Sequence, residues 1–337
     1  MSGDTAVCSR AQHAVPAHQP PAPVRATGIV LALTAAIALI AIAFALPAGR
    51  SAPHDVPIGI AGPPAVGRPI TATLDEKMPG AFEVTSYPDA DALRDAVRSR
   101  DVYGGLVFRP QGVELLIATG GSPAVAQLLT QLGTDISRQT GVPLRTEDLA
   151  PPASGDPRGT GLAASALPIT MAGLLPAIAL LLVLKREIWT RTVAMAVAAA
   201  VTAVTLAALL RWVLGAVDAN FWGVTAALTL GLLGVGLTVL GLGSLFGRPG
   251  VALGVLLALL LGNPLSGLAG APELLPSGWG QLGQWLPQGA TATLLRSAAF
   301  FDGAGGATPA LVLSCWALAG LALIVIAAVR QREFSAG

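Results

Sequence analysis

Six runs of uncharged, apolar residues, unevenly spaced, constrain this chain more than any other feature. They are Gly28–Leu46, Gly159–Leu184, Thr192–Leu210, Ala219–Gly247, Pro249–Pro272 and Gly303–Val329. Each is long enough to cross about 30 Å of hydrocarbon as a helix. A backbone in lipid must satisfy its own N–H and C=O groups, so helices are expected. The first run stands alone, and a polar stretch, Pro47–Arg158, separates it from five closely spaced ones. The layout predicts an α-helical polytopic membrane protein with six transmembrane helices. A small extracytoplasmic α/β domain would lie between the first and second helices. The composition agrees, with 53% hydrophobic and 12% charged residues, far from a soluble globular chain.

Orientation follows from the short loops, where Lys and Arg accumulate on the cytoplasmic side. With the N-terminus inside, the inner segments carry Arg10 and Arg25, then Lys185, Arg186 and Arg191, then Arg248, then Arg330 and Arg332. The short outer segments carry Arg296, with Arg211 near an outer helix end. Both termini are therefore expected in the cytoplasm and the chain in the cell (plasma) membrane. A cleaved signal peptide is the other reading of the first run, because small residues follow it at Ala45–Ala48. Its apolar core exceeds the usual length of about 7–15 residues, which favours an anchor. Cys8 falls in the tail and Cys315 in the last run, so no disulfide is expected to brace the external domain. Abundant Ala and the excess of Arg over Lys point to a GC-rich bacterial genome.

The expected divisions are a disordered, proline-bearing tail (1–26), a first helix (27–48), the external domain (49–160), a five-helix region (161–330) and a short tail (331–337). Within the domain, Val56–Ala61, Phe82–Tyr87, Tyr103–Phe108, Gly112–Ala118 and Val142–Leu149 read as strands. The third and fourth form a hairpin through a Pro110–Gln111–Gly112 turn. Asp89 is placed to cap a helix through Leu93 and Val97. Ser122-Pro123 starts another that reaches about Arg138. A Pro/Gly-rich stretch, Pro151–Gly161, links the domain to the second helix.

Ionisable residues within the membrane are expensive and mark function, but none of the six runs holds an Asp or Glu. Ion-coupled carriage usually needs such a carboxylate, so self-powered transport is not expected. His13 and His18 lie in the tail and His54 at the base of the domain, leaving no intramembrane metal or acyl-transfer site. Two readings stand for Arg211: a cation lining a path for an acidic or zwitterionic head group, or a snorkelling side chain beside Asp218. In the fourth run, Gly231, Gly234 and Gly241 share one helix face, while Gly236, Gly243 and Gly247 lie nearly opposite. Close packing on both sides is expected. The stretch 272–301 carries Trp279, Leu282, Trp285 and Leu286, then Ala290–Phe301 with Arg296. This predicts an outer element lying in the interface or re-entering the membrane, or else a loop with aromatic anchors.

An ATP-driven motor would need Gly-x-x-x-x-Gly-Lys-Ser/Thr, and the two lysines, Lys77 and Lys185, stand in no such loop. The chain is expected to hold no cofactor, and any ATP would be bound by a partner subunit. The local patterns Val56-Pro-Ile-Gly-Ile-Ala61, Tyr103-Gly-Gly-Leu-Val-Phe108, Asp148-Leu-Ala-Pro151 with Gly155-Asp-Pro-Arg-Gly159, and Leu286-Pro-Gln-Gly-Ala-Thr291 ahead of Leu294-Leu-Arg-Ser297 join the layout. Together they resemble the membrane subunits of type-2 ABC exporters, in particular the YhgE/Pip (phage infection protein-like) branch. The resemblance implies a permease, dimeric with itself or a related subunit, that moves a hydrophobic or amphipathic compound outward using a separate ATPase. It also implies that the loop Lys185, Arg186, Glu187, Trp189 and Arg191 contacts that ATPase. The positive-inside rule alone accounts for the three cations, and an interfacial anchor accounts for Trp189. The rival function is a non-transporting surface protein whose external domain binds a partner, a wall polymer or a phage. Neither an enzyme nor a nucleic-acid partner is expected.

Overall fold

The computed structural model describes residues 21–109 and 112–336. The proline-bearing tail therefore lies mostly outside the described residues, as do Pro110 and Gln111 of the expected hairpin turn. Helix α1 (Ala22–Gly49) begins before the expected residue 27, with Pro23 in its first turn, where a missing N–H costs no helical bond. Beyond Arg25 it is largely apolar, and its described side chains up to Ile42 are exposed. The remaining compact unit begins at Ala43.

The domain runs β1 (Val56–Ala61), α2 (Pro64–Lys77), β2 (Phe82–Tyr87), α3 (Ala90–Ser99), β3 (Gly104–Arg109), β4 (Gly112–Ile117), α4 (Pro123–Thr140) and β5 (Leu144–Asp148). Its sheet has the order β2-β1-β3-β4-β5. β1 is parallel to both neighbours, β3 and β4 form the antiparallel hairpin, and β5 is parallel to β4. The local signals act as expected. The Asp89 carboxylate accepts from Ala92 N at 2.9 Å and the Ser122 hydroxyl from Val125 N at 3.3 Å, each relieving an orphan donor of a first turn. The period-2 alternation of the strands sorts their side chains onto two faces. Val56, Ile58, Leu106 and Leu115 pack under α2 and α4, whereas Ala61, Val107 and Leu116 pack under α3.

The domain's two cores are closed by residues from far along the chain. Ala271 joins the first and Phe301 the second. The strap before β1 is tied to the same region, with Ala52 N and His54 N donating to Leu274 O and Glu273 O. The Pro/Gly-rich linker is equally fixed. Ser154 N donates to the Asp218 carboxylate at 2.8 Å, and Gly155 abuts Gly215. The domain is therefore built onto the helices and does not hang from a tether.

The helical region comprises α5 (Gly161–Ala164), α6 (Ala166–Val183), α7 (Ile188–Ala208), α8 (Phe221–Phe246), α9 (Arg248–Leu256), α10 (Trp279–Gln284), α11 (Pro287–Phe300) and α12 (Ala307–Ala336). Among the described residues five helices are long and apolar enough to cross a membrane: Pro23–Pro47, Gly161–Val183, Ile188–Val213, Phe221–Phe246 and Ala307–Glu333. The expected run Pro249–Pro272 differs. Its nine-residue α9 passes into a six-residue π-helix, Leu257–Gly262, and the helix stops there. At 1.5 Å per residue that is about 22 Å, short of the hydrocarbon thickness.

Helix α8 is the axis of the bundle, with most of its side chains buried. Its two glycine faces meet different partners. Gly231 and Gly241 face Thr291 of α11 and Gly320 of α12, and Gly236 and Gly243 face Met195 of α7 and Leu181 of α6. At Gly241 the approach is to backbone, since a Cβ there would lie 2.5 Å from the Gly320 carbonyl oxygen. Gly247 has a different task from the one its spacing predicted. At φ 66° it makes the turn between α8 and α9, a backbone conformation that suits glycine.

Candidate functional site

The residues that hold the domain to the bundle converge around a cavity of about 210 Å³. Six polar or charged side chains line it: Arg100 and Tyr103 from the domain, and Glu273, Gln284, Thr293 and Arg296 from the segment before and within α11. Arg100 ends α3 in the left-handed conformation, φ 67°, which costs a residue with a Cβ about 1–2 kcal/mol. That backbone accompanies a side chain reaching α11, where Nη1 donates to Thr293 O at 3.0 Å and to Ser297 Oγ at 2.9 Å. The guanidinium also lies 5.1 Å from the centre of the Phe301 ring, within cation–π range. Burial pulls the Arg100 pKa down, opposed by Tyr103 and Glu273.

Tyr103 O–H donates to Glu273 Oε2 at 2.8 Å. Burial, reinforced by that carboxylate, pushes the phenol far above its usual range, so it remains a donor. Gln284 accepts from Thr293 Oγ1 at 2.6 Å, while its buried Nε2 has no partner. The chamber therefore holds two guanidinium groups, one carboxylate and one donor without a protein acceptor. It can hold water or a small polar solute, and it couples the domain to α11.

Arg296, expected in an element lying in the interface or re-entering the membrane, is buried within the protein. It is 4% exposed, and its guanidinium donates to Gly267 O at 3.0 Å, Leu268 O at 2.8 Å and Gly270 O at 2.9 Å. The expected outer element divides in two. Helix α10 and the turn after it present Trp279, Leu282 and Trp285 to the outside, as an interfacial anchor would. Helix α11 is buried over most of its length against α8 and α12. The Trp285 carbonyl accepts from Trp316 Nε1 at 2.8 Å, fixing the turn to α12.

Arg211 stands in a π-helical turn, Leu209–Val213, that ends α7. Asp218, expected beside it, accepts from the Ser154 backbone. Exposed Trp212 and Trp222 flank Phe221 at the same end of the bundle.

At the opposite end, Lys185, Arg191, Arg248 and Arg330 line one open groove of about 1050 Å³. Four basic residues assigned to inner segments thus come to one place. Lys185, Arg186 and Glu187 are exposed, and Trp189 is half exposed. Arg191 is not on the loop. It lies in the first turn of α7, 4% exposed, with Nη2 donating to Ser244 Oγ of α8 at 2.6 Å. Comparison with family models, curated proteins and solved structures finds no match to this chain.

Proposed function

We propose that this chain is the membrane permease subunit of a type-2 ABC-like exporter, moving a hydrophobic or amphipathic compound outward and powered by a separate ATPase. In this reading it sits in a bacterial plasma membrane with both termini inside, and the sheet-bearing domain lies outside. The fifth of six passes runs from the Arg248 end back to the domain by way of the short helix Arg248–Gly262 and an irregular segment. The subunit works as a dimer with itself or a related permease.

The observation that carries this reading is the clamp of Arg100 and Tyr103 onto Glu273 and α11. Helix α11 packs against α8, the axis of the bundle. Movement of the external domain is therefore passed to the helices that would line a path. A receptor on an anchor needs neither the clamp nor an inserted short helix.

The test is reconstitution of the full chain in vesicles loaded with a fluorescent amphiphile, with and without ATP and a candidate ATPase encoded beside it. Efflux that requires both supports the proposal. Efflux independent of ATP overturns the powered mechanism, and no efflux under any condition favours a surface receptor.

A further inference from the structure

We propose that the groove at the Lys185 end is a binding site for an anionic phospholipid, with the phosphate held by the cations and the acyl chains lying on the apolar walls. The proposal does not depend on transport. Lys185, Arg191, Arg248 and Arg330 all border the groove, and no carboxylate does so among the described residues. Helices α7 and α9 both begin here, so the positive ends of two helix dipoles add to the same sign.

Arg191 is the decisive group. A guanidinium only 4% exposed forms no ion pair within the described residues, and its buried Nε has no hydrogen-bond partner. The bonds it does make go to the Ser244 hydroxyl at 2.6 Å and, at 3.5 Å, to the Leu184 carbonyl. A buried cation paired only with neutral oxygens is costly, and the orphan donor adds to that cost. An anion in the groove supplies the missing countercharge.

The walls name the class of anion. Leu182 and Val255 line the same groove as the four cations. An apolar trough capped by positive charge matches a diacyl phosphate lipid and leaves a soluble anion's surroundings partly unused. The basic end is also where an anionic leaflet would supply such lipids.

The experiment is native mass spectrometry of the delipidated full chain in detergent, titrated with phosphatidylglycerol or with phosphatidylcholine of the same acyl chains. The site predicts that one phosphatidylglycerol is retained at least tenfold more tightly. Each basic residue near an anionic lipid surface contributes about fivefold, so Lys185→Gln with Arg330→Gln lowers phosphatidylglycerol affinity about thirtyfold and leaves phosphatidylcholine unchanged. Both residues are exposed, so the pair is compatible with folding. Arg191→Gln lowers phosphatidylglycerol affinity further where its helical circular dichroism matches wild type; where it does not, the exposed pair decides. Equal retention of the two lipids, or an unaffected double variant, overturns the proposal. Glycerol phosphate competing at the same concentration as the lipid also overturns it.

Discussion

Arg100 offers the sharpest test of how the domain is joined to the helices. Arg100→Ala removes a charged donor from Thr293 O and Ser297 Oγ, and hydrogen bonds to charged groups contribute about 1.5–3 kcal/mol. It also removes the contact with Phe301, for about 0.5–1 kcal/mol more. Alanine keeps the left-handed strain, so the junction is expected to lose about 2.5 kcal/mol, or roughly sixtyfold in its opening equilibrium. Arg100→Gly loses the same contacts but relieves about 1 kcal/mol of backbone strain at φ 67°. Its opening is expected to rise only about tenfold. Hydrogen exchange of the full chain reads this at Phe301, Gly303 and Ala304, whose amides bond within the loop after α11, with amides of central α8 as the unchanged reference. A glycine variant that opens as much as the alanine variant, or wild-type exchange in both, refutes the argument.

Replacing Arg296 with Gln leaves at least one of three carbonyls, Gly267, Leu268 or Gly270, without a donor. A loss of about 3 kcal/mol is expected, seen as a collapse of the monodisperse fraction on gel filtration. Gly241→Ala sets a methyl 2.5 Å from the Gly320 carbonyl oxygen, forcing α8 and α12 apart at a cost of about 1–3 kcal/mol; a thermal midpoint equal to wild type would contradict the close packing. Glu147 accepts from Arg94 at 2.9 Å, and that bond holds its carboxyl below the usual range. A depressed folded pKa contributes stability above the unfolded value of about 4.3 and loses it as pH falls through the folded one. The wild-type thermal midpoint should therefore fall more steeply below about pH 5 than that of Glu147→Gln; parallel curves would remove the pair from the account.

Local chemistry was legible in the sequence and long-range closure was not. Asp89 and Ser122-Pro123 declare their helices because capping needs only neighbours within one turn. The strands declare themselves by alternation. Nothing near Ala271 or Phe301 says that they finish the cores of a domain that began more than a hundred residues earlier. Arg100 was invisible for a different reason: the position after α3 is one where glycine is usual, and the chain has Arg there to reach α11. Arg191 left a signal that loop counting overrode. With α7 starting at Ile188, it falls on the stripe of Ile188, Met195, Ala199 and Ala203, all buried. Likewise the small residues Gly289, Ala290, Ala292, Ala298 and Ala299 mark α11 for close packing, although the tryptophans upstream lead the whole stretch to be read as one interfacial or re-entrant element.

The short fifth run and the buried Arg296 explain one another. Once the helix ends near Gly262, the chain must reach Ala271 through residues whose carbonyls have left helical pairing. Irregular backbone packed inside protein needs protein partners for its polar groups. A single guanidinium carries five donors in a fixed fork, and Arg296 directs three of its bonds to carbonyls within the four residues Gly267–Gly270. Lysine has the donors but not the fork, so Arg296→Lys should recover less than half of the stability that Arg296→Gln removes. The same helix carries Thr293 and Ser297, which receive Arg100 from the domain. Displacing α11 would therefore disturb the clamp and the irregular segment together. If Arg296→Lys restored wild-type thermal stability, point charge alone would suffice and the fork would have no part in holding the irregular segment.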